Sequence, residues 1–331
     1  MNKDKKIFES IISRFSTPYR REQPVLEPSS DSLSFDSKFT DAPFVYKYDN
    51  KWWMTYVGFD GKGYRTGLAV SENLLNWKRI GVILDHGKSD DFDSCGAGGV
   101  WILRNNSFEN AEPLKYNGKY WMCYYGNNDI GLEGGRGSIG LAFSEDLIHW
   151  EKFSHNPILS CNEGKDWEKG TLYKGCLIKS NNEFLLFYNA KSKVYPPWRE
   201  QIGLATSKDL KNWKRYSGNP ILKNSKSGWD KLYVADPQVC HWGDLWLMFY
   251  YGFDGYYAQE GVAISHDLIK WEKWPEPILR IGKTGSIDSQ CAHKPAVIMH
   301  KDTVYHFYVA VSEESNLRQI GLATSKSLLD N

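Results

Sequence analysis

The chain has 331 residues, 41 basic against 40 acidic, and 15% aromatic residues including 14 Trp. That balance gives no electrostatic case for nucleic acid or an anionic membrane as a partner, and no run of about 18 apolar residues suits a membrane span. The N-terminus shows no secretory h-region. The six cysteines have no CxxC or paired spacing, which fits free thiols in a reducing compartment and a cytoplasmic location.

In chain order, residues 1–19 come first. Ile7, Phe8, Ile11, Ile12 and Phe15 fall on one face at helical spacing, which predicts a short helical extension. That helix would pack on the rest of the chain or on a second copy, so a homo-oligomer through it is open. Residues 20–331 read as a single domain built from a repeat. The segment Gly203–Trp213 (GLATSKDLKNW) recurs as Gly67–Trp77, Gly140–Trp150, Gly261–Trp271 and Gly321–Asn331, with glycines 73, 63, 58 and 60 residues apart. Spacing of this kind marks an array of five units. In each unit an aromatic-rich run such as Lys119–Gly126 precedes the repeat and reads as a strand. The Ser-x-Asp-Leu part favours a turn, and a further strand ends in Asn-Pro-Ile-Leu or a similar run. Four short strands per repeated unit predict an all-β, five-bladed β-propeller with four-stranded blades. Pro24–Leu26 looks like a fourth-strand ending without a preceding unit, and the fifth unit reaches Asn331 before its own. The N-terminal strand is therefore expected to complete the last blade, since an open ring would leave a bare strand edge.

Function in such a ring belongs where inner strands begin and where the loops between strands two and three converge. Asp41, Lys174, Asp236 and His293 occupy comparable places just before or within the inner strands. Blade two is ambiguous, because Asn110–Leu114 also fits the Asp-Ala-Pro pattern, and Glu112 is its rim candidate. Asp36, Asp93, Asp230 and Asp288 recur and read as turn residues. Asp41, Glu112 and Asp236 vary in identity at a shared place, so they are the catalytic candidates. Arg65, Arg136, Arg199 and Arg318 sit two to four residues before a repeat glycine, where blade four has Gln259 and Glu260 instead. They either pair with turn acids or form a cationic grip. Trp198 and the neighbouring loop tyrosines suit stacking on a sugar face.

Ser-x-Asp-Leu-x-x-Trp, Asn-Pro-Ile-Leu and the inner-rim Asp-Ala-Pro or Ala-Asp-Pro together resemble the five-bladed propeller glycosidases. These include families 43 and 130 and the invertases and levansucrases, and the likeness covers residues 20–331. It implies a glycosidase that cleaves an oligosaccharide or glycoside in a central funnel by carboxylate acid–base catalysis, with inversion. By position, Asp41 matches the first-blade base, Asp236 lies where the acid is expected, and His293 resembles a fifth-blade channel His. The resemblance requires no cofactor, and it allows a structural calcium near His293. Tyr173 and Lys174 stand where family 43 has an orienting Asp, so Glu112 or Glu260 would supply a third carboxylate. A family 130-like phosphorylase, with the arginines holding phosphate, is the alternative, followed by a non-catalytic sugar-binding propeller. On this reading Asp41→Asn abolishes turnover and leaves the fold intact.

Overall fold

The computed structural model describes residues 3–327, so the last four residues of the fifth repeat lie outside the described residues. Helix α1 (Lys3–Phe15) is followed by β1 (Tyr19–Arg20), and everything after it is strand and turn. Five antiparallel four-stranded units follow one another. The first is β2 (Phe39–Tyr48), β3 (Lys51–Phe59), β4 (Tyr64–Ser71) and β5 (Lys78–Leu84). The second runs β6 (Gly96–Ile102), β8 (Lys119–Asn127), β9 (Gly137–Ser144) and β10 (Glu151–Lys152), with β7 (Lys115–Tyr116) as a hairpin beside β8. The third is β11 (Thr171–Ser180), β12 (Glu183–Lys191), β13 (Glu200–Ser207) and β14 (Lys214–Arg215). The fourth is β15 (Tyr233–Trp242), β16 (Leu245–Phe253), β17 (Ala258–Ser265) and β18 (Glu272–Lys273). The fifth has β19 (Cys291–His300), β20 (Thr303–Val311) and β21 (Gln319–Thr324), and its outer strand is β1. Leu26 bridges Ile320 as Leu159, Leu222 and Leu279 bridge Ile139, Ile202 and Glu260 in their units. The expected use of the N-terminal segment is therefore what the pairing shows. Strand β2 also packs against β19, β20 and β21, so first and last units are neighbours.

The recurring residues turn out to be scaffold. In the turn after β9, Ser144 Oγ accepts from the amides of Asp146 (3.2 Å) and Leu147 (2.9 Å), and Asp146 accepts from Ile148 and His149. Leu147 is thereby held at φ 69°, and its carbonyl accepts from the Trp150 indole at 3.0 Å. Units one, three and four repeat this pattern through Leu74, Leu210 and Leu268.

The recurring acids are more than turn residues. Asp36, Asp93, Glu168 and Asp288 are buried and accept from the hydroxyls of Tyr56, Tyr124, Tyr188 and Tyr308 at 2.7–2.9 Å. Each also meets a cation from an outer strand: Arg79, Lys152, Arg215 and Arg20, with Lys273 serving Asp230 in unit four. Buried charges persist when paired and hydrogen-bonded in this way. Arg20 comes from β1, so the N-terminal segment supplies unit five with the ion pair that the other units make for themselves. Gly58, Gly126 and Gly252 are next to last in the second strands, where a Cβ would lie within 2.7 Å of the ring or acid that packs there.

The apolar face of α1 is spent within the chain. Phe8, Ile11 and Phe15 are buried against Phe108, Phe249 and Val262, and the Phe15 ring lies 4.8–5.5 Å from those of Phe108, Trp242 and Phe249. Phe15→Ala should lower unfolding free energy by about 3–5 kcal/mol, read from denaturant titration. Among the described residues no helix is long and apolar enough to cross a membrane, and all six cysteines are free.

Candidate active site

Inner strands carry a bulge near their starts and continue past it. In β2, β15 and β19 the register with the next strand slips between Asp41 and Phe44, Ala235 and Gln238, and His293 and Ala296. The residue before each proline takes a left-handed backbone: Ala42 at φ 43°, Asp236 at 53° and Lys294 at 63°. A non-glycine residue in that region is strained and is held only by its surroundings, and a bulge re-aims the side chains beside it. Strand β11 slips between Leu172 and Gly175 without a proline. These bulges deliver Asp41, Tyr173, Lys174, Asp236 and Lys294 into one recess.

The register also corrects the sequence alignment. Asp41, Ala235 and His293 are equivalent, opposite Val57, Tyr251 and Val309, while Asp236 is equivalent to Ala42 and Lys294. Lys294 is thus the pocket-lining residue of unit five. His293 sits one step back, with Nδ1 against the Val309 carbonyl at 2.9 Å and its ring edge-on to Tyr251. Burial, reinforced by Lys294 and Arg318, pushes its pKa down to about 3. Among the described residues no group of three His, Cys, Asp or Glu side chains could hold a metal ion.

Alternation along the third strands decides which loop residues face inward. Successive side chains point to opposite sheet faces. Three residues before the repeat glycine stand Tyr64, Glu200 and Arg318, and all three reach the recess or its Asp41. Arg65 is two before its glycine, and Arg136 and Arg199 are four before, so they face away. Arg65 pairs with Asp60 and Asp85, Arg136 binds the Asn162 side chain, and Arg199 donates to the Lys231 carbonyl. Glu260, one residue before its glycine, is fully buried against His306 and does not line the recess. Glu112 is also outside it: the residue is exposed, because β6 rather than Asn110–Leu114 is the inner strand of unit two.

Two residues that sequence reasoning missed complete the recess. Glu200 lies at the inward third-strand position, and Glu133 comes from the loop between β8 and β9. Alternation from the repeat glycine could have found Glu200; nothing periodic marks Glu133.

The carboxyl groups divide into two settings. Asp41 lies 2.8 Å from Lys294 Nζ and 2.7 Å from Arg318. Burial acts to raise its pKa, but these two cations outweigh it and hold the carboxyl far below the usual range. Glu133 meets Lys191 at 3.1 Å, Lys294 at 3.5 Å and Arg318 at 3.8 Å, which overcome burial in the same way. Glu200 accepts from Asn189 Nδ2 at 2.9 Å and from Trp198 Nε1 at 3.0 Å, and Lys191 is 3.9 Å away. Here burial wins and the pKa rises. Asp236, reached by Asn189 at 3.4 Å, is also raised by burial. Tyr64, Tyr125, Tyr173 and Tyr251 wall the recess, so it pairs acid–base groups with aromatic faces suited to a sugar ring.

Comparison with known proteins places the chain in the propeller glycosidase superfamily. It belongs to the family of the glycosyl hydrolases family 32 N-terminal domain, whose model matches residues 109–280. A 1,2-beta-oligomannan phosphorylase of Thermoanaerobacter sp. (strain X514) is 29% identical over 218 residues, covering 64% of this chain and 61% of the relative. The chain therefore spans less than two thirds of that protein. Two solved structures are each 32% identical: a protein from an RGII complex (TM-score 0.86, covering 98% of this chain and 96% of that one) and a glycoside hydrolase (TM-score 0.85, 99% and 96%).

Proposed function

We propose that the protein is a glycoside hydrolase that cleaves the bond to a sugar held in this recess, on a ring of five blades closed by β1. Glu200 is its proton donor and Glu133 its ionised carboxylate. The observation that carries the reading is that these two glutamates flank one ammonium, Lys191, in settings that drive their proton affinities apart. Divergent carboxyl environments are how one fold runs acid and base chemistry together. Glu200, kept protonated by burial, gives its proton to the glycosidic oxygen as that bond breaks. Glu133 takes the proton of the attacking water, or attacks the anomeric carbon itself; the first anomer seen by proton NMR separates the two. Asp41 fixes Lys294 and Arg318 rather than acting as the base.

The recess is read as the seat of one terminal sugar, so release from the chain end is expected. The likeness to a phosphorylase favours one second reading, phosphorolysis by the same acid. Sugar release from aryl furanosides, aryl pyranosides and short oligosaccharides, run with and without inorganic phosphate, decides between them. Release that needs phosphate and yields a sugar 1-phosphate would overturn hydrolysis.

Lys191→Met supplies a pH test. Lys191 lowers the pKa of both glutamates, so its loss should move both limbs of the kcat/KM profile to higher pH. Unmoved limbs would remove the assignment of these two groups.

A further inference from the structure

Lys174 and Lys294 line the recess, and Lys191 and Arg318 pair with its carboxylates from beside it. Lys191, Lys294 and Arg318 each have carboxylate oxygens within 4.0 Å. Lys174 does not. Its side chain is buried, lines the recess, and its Nζ has no hydrogen-bond partner. Leaving a buried ammonium unpaired is costly, and a buried polar group with no partner calls for an explanation.

On its other side Lys174 borders a second, smaller space that Pro43, Arg104, Gln238 and Pro295 also line. The Arg104 side chain there is itself a buried cation: it donates to the Val45 carbonyl at 3.2 Å and lies over the Phe44 and Trp101 rings, while its Nε has no partner. Gln238 is engaged on both sides by the Val297 backbone at 2.6 Å. That space offers Lys174 a second cation and an amide already bonded to backbone, whereas the recess is where a carboxylate-bearing guest could reach it.

Resting on the reading of this recess as a sugar site, we propose that Lys174 is a specificity residue that receives the carboxylate of an acidic terminal sugar. Lys174 lines the recess with no carboxylate oxygen within ion-pair distance and no hydrogen-bond partner, a setting that suits a guest bringing one negative charge. A ring-borne carboxylate supplies one negative charge and enters with its sugar between the tyrosine walls. An inorganic phosphate dianion would overcompensate Lys174, and the neighbouring Lys294 is already committed to Asp41 at 2.8 Å.

The test is calorimetric titration of the full chain with glucuronate and galacturonate against glucose and galactose, with inorganic phosphate as a separate arm. Uronates should bind at least about tenfold more tightly than their neutral counterparts, the range expected for a charged hydrogen bond. Lys174→Met should erase that preference, and Lys174→Arg should keep much of it. The Met variant is expected to fold, which thermal unfolding checks, because it removes an uncompensated buried charge. Equal binding of acidic and neutral sugars overturns the proposal, as does a preference that survives in Lys174→Met. Lys174-dependent phosphate binding without a uronate preference also overturns it. Binding needs no turnover, so Glu200→Gln should retain the preference even where the catalytic assignment fails.

Discussion

Glu200→Gln is expected to lower kcat by about 10²–10⁴-fold, the usual contribution of a positioned general acid, with the fold kept at a modest cost in thermal stability. Gln keeps the shape, but its one oxygen can accept from only one of Asn189 Nδ2 and Trp198 Nε1, which bind different oxygens of the native carboxyl at 2.9 and 3.0 Å. What it cannot do is give a proton to a departing oxygen. The comparison that isolates this step is between an aryl glycoside with a good leaving group and an unactivated oligosaccharide. The activated substrate should lose much less, because its leaving group needs little protonation. An equal loss on both substrates, or near-normal activity on either, would take the acid role away from Glu200.

Asp41→Asn is expected to act mainly on folding. Asp41 is 1% exposed and takes ion pairs from Lys294 and Arg318. Removing its charge leaves buried Lys294 and partly buried Arg318 with Glu133 as their remaining anion. Breaking a buried pair from one side typically costs about 3–5 kcal/mol, so a large fall in Tm and in denaturant midpoint should accompany any loss of turnover. The pH dependence gives a second handle. The folded-state pKa of Asp41 is depressed, so the unfolded chain binds this proton more readily than the folded one. Its stabilisation is therefore fully present above an ordinary Asp value of about 4 and is lost as pH falls below it. Asp41→Asn should flatten that acidic decline. A variant as stable as the parent, with the same acid profile, would return Asp41 to the simple rim carboxylate that its sequence position suggests.

The contrast between these two residues shows what can be read along the chain. The repeat of Ser, Asp, Leu and Trp after each glycine is legible because each copy makes the same local turn. Its Ser and Asp bond amides only two or three residues away. The four-strand grammar, the pairing of the N-terminal segment with β21 and the helical face of Phe8, Ile11 and Phe15 follow from periodicity alone. Asp41, Asp236, Lys174 and Arg318 are legible because they stand near landmarks that recur.

Errors arise where one residue of register decides the outcome. Arg65, Arg136 and Arg199 sit one place off the inward position that Arg318 occupies, and in a strand one place is the opposite face. His293 stands in for Lys294 when acids and His are matched by kind, whereas counting back from Pro43, Pro237 and Pro295 sets Lys294 beside Asp236. Glu112 fits the Asp-Ala-Pro pattern of an inner strand, but that segment lies outside β6, which already fills the place.

Sequence by itself determined the class of fold, the number of repeats and the cluster of strand ends from which a site would be built, because those depend on local bonding and period. The tertiary structure alone decided which charges meet. Glu133, Glu200 and Lys191 come from two different units, and Asp41 finds its cations about 250 residues or more along the chain. Whether each carboxyl holds or sheds its proton depends on burial against those partners, a property of the assembled recess and of no segment of it.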